Sequence, residues 1–80
     1  MKDPVATIRE RMAQHRKVDL PSPSVCRALR LAVGLSQQDV AQAVGVDRAS
    51  VARWELGSRE PTEPWRSTYQ QVLDELRSTR

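Results

Sequence analysis

Apolar residues in the middle of the chain fall into two short helical phases separated by a single glycine. Within GLSQQDVAQAVGVDRASVARWELG, from Gly34 to Gly57, Val40, Ala41 and Val44 repeat at spacings of one and three. The pattern stops at Gly45 and resumes with Val51 and Trp54. Upstream, Val25, Cys26, Leu29, Ala32 and Val33 predict the inward stripe of a helix opened by Ser22 and Pro23 and closed at Gly34. Ser36 with Asp39 three residues on reads as a capping box, with Asp in place of the usual Glu, and Asp47 reads as the next N-cap. Gly45 and Gly57 are the expected stops. After the turn-rich SREPTEP, Trp65, Tyr69, Val72, Leu73 and Leu76 predict an amphipathic helix from about Pro64 to Arg77, with both tryptophans in the core. Near the start, Val5, Ile8 and Met12 share one stripe of a helix from Pro4 to Val18, whose other face carries Arg9, Glu10, Arg11, Arg16 and Lys17. Pro21 and Pro23 in VDLPSPS interrupt that helix. No segment alternates as a strand does. The expected fold is all-α, with about five helices: a helical extension over residues 1–20 and a body over 21–80.

The junction at Gly45 sets a steric requirement. Two helices crossing at roughly 90–120° through a three- to four-residue turn need a small side chain where they approach. They also need a residue that accepts a left-handed backbone. Ala41 supplies the first and Gly45 the second, while Val40, Val46, Val51 and Trp54 fill the wedge. The outer face of the following helix is left with Arg48, Ala49, Ala52 and Arg53, and Ser50 nearby. Arg48 and Arg53 lie about a turn and a half apart along one side.

Composition adds bounds. Eighty residues make one small domain. Thirteen Lys and Arg against ten Asp and Glu give a net charge of +3, which permits a polyanionic partner. The basic residues are mostly Arg, with only Lys2 and Lys17 as lysines, and Arg suits bidentate contacts to phosphate or guanine. Codon bias in a GC-rich genome is the plain alternative. Cys26 stands alone, so no internal disulfide forms, and its apolar register suggests a buried thiol in a reducing compartment. The first twenty residues are charged throughout and no apolar run approaches ~20 residues, so an intracellular, soluble, cytoplasmic chain without membrane association is expected. There is no Cys/His or Ser/His/Asp set, no metal-ligand cluster around the lone His15 and no Gly-rich phosphate loop. Neither an enzyme nor a cofactor or metal is expected.

LSQQDVAQAVGVDRASVARWELGSREP resembles the lambda-repressor-like, Cro- or XRE-type helix-turn-helix family. Leu35, Ser36, Gln37, Val40, Ala41, Gly45, Val46, Val51, Glu55, Gly57 and Pro61 match its pattern in register, and the likeness extends over roughly Val25 to Leu76. The resemblance implies a recognition helix from Asp47 to Leu56 lying in the major groove of duplex DNA. Arg48, Ala49 and Arg53 would read bases, an Arg taking guanine through O6 and N7 and Ala49 touching a thymine methyl. Ser36, Gln37, Ser50, Ser58 and Arg59 would hold the sugar–phosphate backbone, which sets register without reading sequence. Gln37 would also brace the reading side chain. Arg30 and Glu55 match positions that form a buried ion pair in part of the family, the alternative being two solvated side chains. Two departures weaken the electrostatics. Glu60 stands where relatives often carry Lys or Arg, and Asp47 lies beside the expected groove.

Alternatives stay open at several residues. Arg53 pairs with a neighbour such as Glu60 if it does not touch DNA. Trp54 and Trp65 would form a stacking platform for single strands, although helical spacing places them inside. The segment 1–20 is a dimerisation element, a lid or a basic arm along DNA. The expected function is a sequence-specific DNA-binding regulator of the phage-repressor or Cro sort, acting in the nucleoid as a homodimer on an operator. The alternative is an antitoxin or interaction module that binds a protein partner through residues 1–20.

Overall fold

The computed structural model describes residues 3–9 and 20–78. Residues 4–9 are helical and form α1; then come α2 (Pro23–Val33), α3 (Gln37–Val44), α4 (Arg48–Leu56) and α5 (Trp65–Ser78). Among the described residues there is no strand, so the protein is all-α. Met12, His15 and the rest of the predicted N-terminal helix beyond Arg9 lie outside the described residues.

Helix boundaries follow from local chemistry. The Asp3 carboxylate accepts the Val5 N–H at 3.0 Å and opens α1. Ser22 Oγ accepts the Val25 N–H at 3.4 Å, with Pro23 in the first turn of α2. In α3 the capping box is reciprocal: Asp39 N–H donates to Ser36 Oγ at 3.0 Å, and Ser36 N–H to Asp39 Oδ2 at 2.8 Å. The Asp39 carboxyl is lowered below its ordinary value, first by the backbone N–H of Ser36. Asp47 Oδ1 accepts the Ser50 N–H at 2.9 Å and opens α4. Gly45, between α3 and α4, has φ +92° and sends its N–H to Ala41 C=O at 2.8 Å. An L side chain there would crowd its own carbonyl, which is why the turn takes glycine.

Helices α3 and α4 pack on each other, and α2 and α5 close the remaining sides. Val40, Ala41 and Val51 are almost completely buried, with Cys26, Leu29, Val44, Leu73 and Leu76 around them. The Trp54 and Tyr69 rings meet at 4.8 Å between centroids, tilted by 42°. Burial raises the Cys26 thiol above its ordinary value and pushes the Tyr69 phenol up strongly. No helix among the described residues is long and apolar enough to cross a membrane.

Two expectations about the core need correction. Val25 and Ala32 are exposed, and Arg30 takes the inward position instead, because α2 turns the face Cys26, Leu29, Arg30 towards α4. Trp65 is 42% exposed rather than in the core. The first turn of α5 borders an open cleft of about 720 Å³ that it shares with Val46, Trp54 and Thr62, so one side of the indole stays open to solvent. Val5 and Ile8 on α1 are also exposed, at 52% and 54%.

Candidate nucleic-acid interface

Helix α4 spends Val51, Trp54 and Glu55 on the interior. Its opposite face is therefore fixed: Arg48 and Arg53 are exposed, and Ala49, Ser50 and Ala52 are half-buried between them. Small residues between two guanidinium groups leave a narrow ridge that can enter a groove without steric obstruction. Leu56 extends this face and is 80% exposed. Its spacing of three and four from Arg53 and Ala52 was visible in the sequence, yet it was not singled out there.

Behind Arg48 lies an unbroken chain of polar contacts. Arg48 Nη1 donates to Gln37 Oε1 at 3.3 Å, and Gln37 Nε2 donates to Glu55 Oε1 at 3.2 Å. Glu55 in turn accepts from Arg30, through Nε to Oε2 at 2.7 Å and through Nη2 to Oε1 at 2.9 Å. Arg30 Nη1 donates to Leu35 C=O at 2.8 Å. The two charged side chains are only 8% and 3% exposed, and the bond to Glu55 raises the Arg30 pKa still further. The bidentate geometry offsets the cost of taking both charges out of water. The Arg30–Glu55 pair and the Gln37 brace on Arg48, both implied by the family resemblance, thus meet in one line. The Gln37–Glu55 link was not anticipated, because nothing local marks a contact across 18 residues.

The residues expected on the DNA backbone are spread around this line. Ser36 and Gln37 sit at the start of α3, where Val40 N–H to Ser36 C=O at 3.3 Å is a first-turn bond. With the Asp39 N–H taken by Ser36 Oγ, the amides of Gln37 and Gln38 are left to form a partial positive pole at the helix end. Ser50 Oγ donates to Asp47 Oδ1 at 2.6 Å, and Ser58 Oγ donates to Arg53 C=O at 3.3 Å. Each hydroxyl must leave its present acceptor before it can donate to a phosphate. Ser58, Arg59 and Glu60 are exposed beyond the C-cap Gly57. The bonds from the Ser50 side chain and then its backbone hold the Asp47 carboxyl below its ordinary value, so it stays ionised beside the ridge. Among the described residues no cluster of His, Cys, Asp or Glu could hold a metal ion.

Two helices joined by the three residues Gly45–Asp47, the second with a free polar face, define a helix-turn-helix protein. Residues 27–64 match the family model described as helix-turn-helix, which supports a likeness of this segment to the lambda-repressor-like, Cro/C1 kind. The match supports a DNA-binding regulator of the XRE and Cro kind. Neither a curated protein nor a solved structure matches the chain.

Proposed function

We propose that the protein is a sequence-specific reader of duplex DNA that represses by occupying an operator with α4 in the major groove. The observation that carries this reading is the outer face of α4, with Arg48 already held by Gln37 at the start of α3. Arg48 takes a guanine through O6 and N7, Arg53 reads one turn further along, and Ala49 contacts a thymine methyl. Ser36, Gln37, Ser50, Ser58 and Arg59 hold the backbone, the serines after their hydroxyls turn outward. A homodimer presents two copies of α4 about 34 Å apart to a pseudo-palindrome, which supplies the affinity that Asp47 and Glu60 take away. Its place of action is the nucleoid.

Titration of duplex DNA at increasing salt tests the reading. Two to four neutralised phosphates give a log–log slope of about −2 to −4. A flat affinity between low and moderate salt contradicts it. The exposed Val5 and Ile8 favour a second reading, in which residues 1–20 bind a protein as an antitoxin does. An equimolar partner that co-purifies from the native host and is lost on deleting residues 1–20 would establish it.

A further inference from the structure

The Arg30–Glu55 pair has the features of a fold determinant, yet its position gives it a second consequence. Glu55 Oε1 accepts from two directions at once, from Arg30 Nη2 at 2.9 Å and from Gln37 Nε2 at 3.2 Å. Both Glu55 oxygens receive N–H groups of Arg30, and a carboxylate is an acceptor only. Gln37 is the ambivalent member, because its amide can present either its carbonyl or its NH2 to a neighbour. With Glu55 on one side, only one orientation is tolerated. The reverse orientation would set the carbonyl oxygen against the Glu55 carboxylate and the NH2 against the donor-only guanidinium of Arg48. The tolerated orientation leaves Oε1 facing α4, where Arg48 Nη1 donates to it at 3.3 Å.

We propose that Glu55 is a positioning residue for base reading: as an obligate acceptor it sets the Gln37 amide, which in turn holds Arg48 in the conformation that meets the groove. The proposal rests on the reading of α4 as the groove-entering helix. It assigns to the interior pair a specificity role in addition to its structural one. Arg30 takes part by holding the Glu55 carboxylate aligned, with its third donor tied to Leu35 C=O at 2.8 Å. Holding a long, exposed side chain in one rotamer lowers the ordering cost on binding, and only the base that Arg48 meets gains from this. A role in folding alone, or a phosphate contact by Gln37 alone, would change affinity for all sequences equally.

The test compares base preferences selected from a randomised duplex pool by the wild type, Arg48→Ala, Glu55→Gln and Gln37→Met, each confirmed helical by circular dichroism. Arg48→Ala identifies the base position that Arg48 reads. Glu55→Gln lets the Gln37 amide take either orientation. It is expected to weaken preference at that position about fivefold, the value of one net hydrogen bond, with other positions unchanged. Gln37→Met leaves the Arg30–Glu55 pair intact, so it keeps the test valid if Glu55→Gln fails to fold, and it should show the same position-specific loss. In the Arg48→Ala background neither change should have a further effect at that position. If the wild type and Arg48→Ala differ at one base while Gln37→Met and any folded Glu55→Gln retain the wild-type profile, the relay is refuted and the DNA reading stands. If every preference falls equally, the residues act on the fold or the backbone and the proposal is overturned. If the wild type enriches nothing, the groove reading and the relay fall together.

Discussion

Replacing Glu55 with Ala should remove a large part of the protein's stability. The side chain is 3% exposed, and its loss leaves the Arg30 guanidinium, 8% exposed, without a countercharge. The bond from Arg30 Nη1 to Leu35 C=O remains, but a neutral carbonyl does not compensate a buried cation. Breaking one side of such a pair typically costs about 3–5 kcal/mol. Gln37 Nε2 also loses its acceptor, although water reaches that group, so its share is under about 1 kcal/mol. A domain of this size has a total stability of roughly 4–12 kcal/mol. At about 4–8 °C per kcal/mol, Tm should fall by about 12–40 °C. Urea unfolding followed by far-ultraviolet circular dichroism reads the change, and an unchanged m-value shows that the native and unfolded states are otherwise comparable. A loss below about 1 kcal/mol, the range of solvent-exposed pairs, would refute the reasoning. The double replacement Arg30→Met with Glu55→Leu should recover most of the loss, since an apolar pair needs no countercharge.

The remaining expectations use the same measurement. Gly45→Ala places an L side chain at φ +92° with no atom within 4 Å, so its cost of about 1–2 kcal/mol is purely backbone; a negligible cost would show that the turn relaxes. Trp54→Ala should cost about 3–5 kcal/mol, whereas Trp65→Ala should cost under about 1.5 kcal/mol because its indole is half in solvent; equal costs would contradict the corrected core. The Tyr69 hydroxyl lies beside the Cys26 thiol without a hydrogen bond of good geometry, so Tyr69→Phe should be neutral or stabilise by up to about 1 kcal/mol; a loss above about 1 kcal/mol would mean that the hydroxyl is satisfied. Both acids are raised in the folded state, so their neutral forms support the fold fully below pH 9.0, and this support is lost as pH rises past the ordinary thiol value of 9.0 and phenol value of 10.0. The urea midpoint should fall across that range in the wild type and less in a Cys26→Ala, Tyr69→Phe variant; an equal fall in both would exclude these groups as the cause.

What the sequence disclosed and what it concealed divide by distance along the chain. The caps at Ser22, Ser36 with Asp39, and Asp47 involve partners within three residues, and each forms as the pattern predicts. The left-handed glycines Gly34, Gly45 and Gly57 are equally local. The buried faces of α3 and α4 followed from spacing, because Val40, Ala41, Val44, Val51 and Trp54 leave no competing phase. Helix α2 offered two competing stripes. Hydrophobicity favoured Val25 and Ala32, and only a carboxylate 25 residues away makes Arg30 the better inward residue. Trp65 continues the spacing of Tyr69 and Leu73, but periodicity does not tell where the neighbouring helices end. The same limit applies to the interface. The outward ridge of α4 was legible as what the core leaves over. The Arg30–Glu55 pair and the Gln37 brace were legible only through the family resemblance, and the Gln37–Glu55 link that joins them needs three helices in place.

The most direct test of the central claim is a titration of the 15N-labelled protein with a duplex selected from a random pool, followed residue by residue by NMR. The account predicts that the largest shifts fall on Arg48, Ala49, Ala52 and Arg53 and on Ser36 and Gln37, with smaller ones at Ser58 and Arg59. The outward residues of α5 should stay unchanged. Shifts confined to residues 3–9 or to α5, with the outer face of α4 silent, would contradict it.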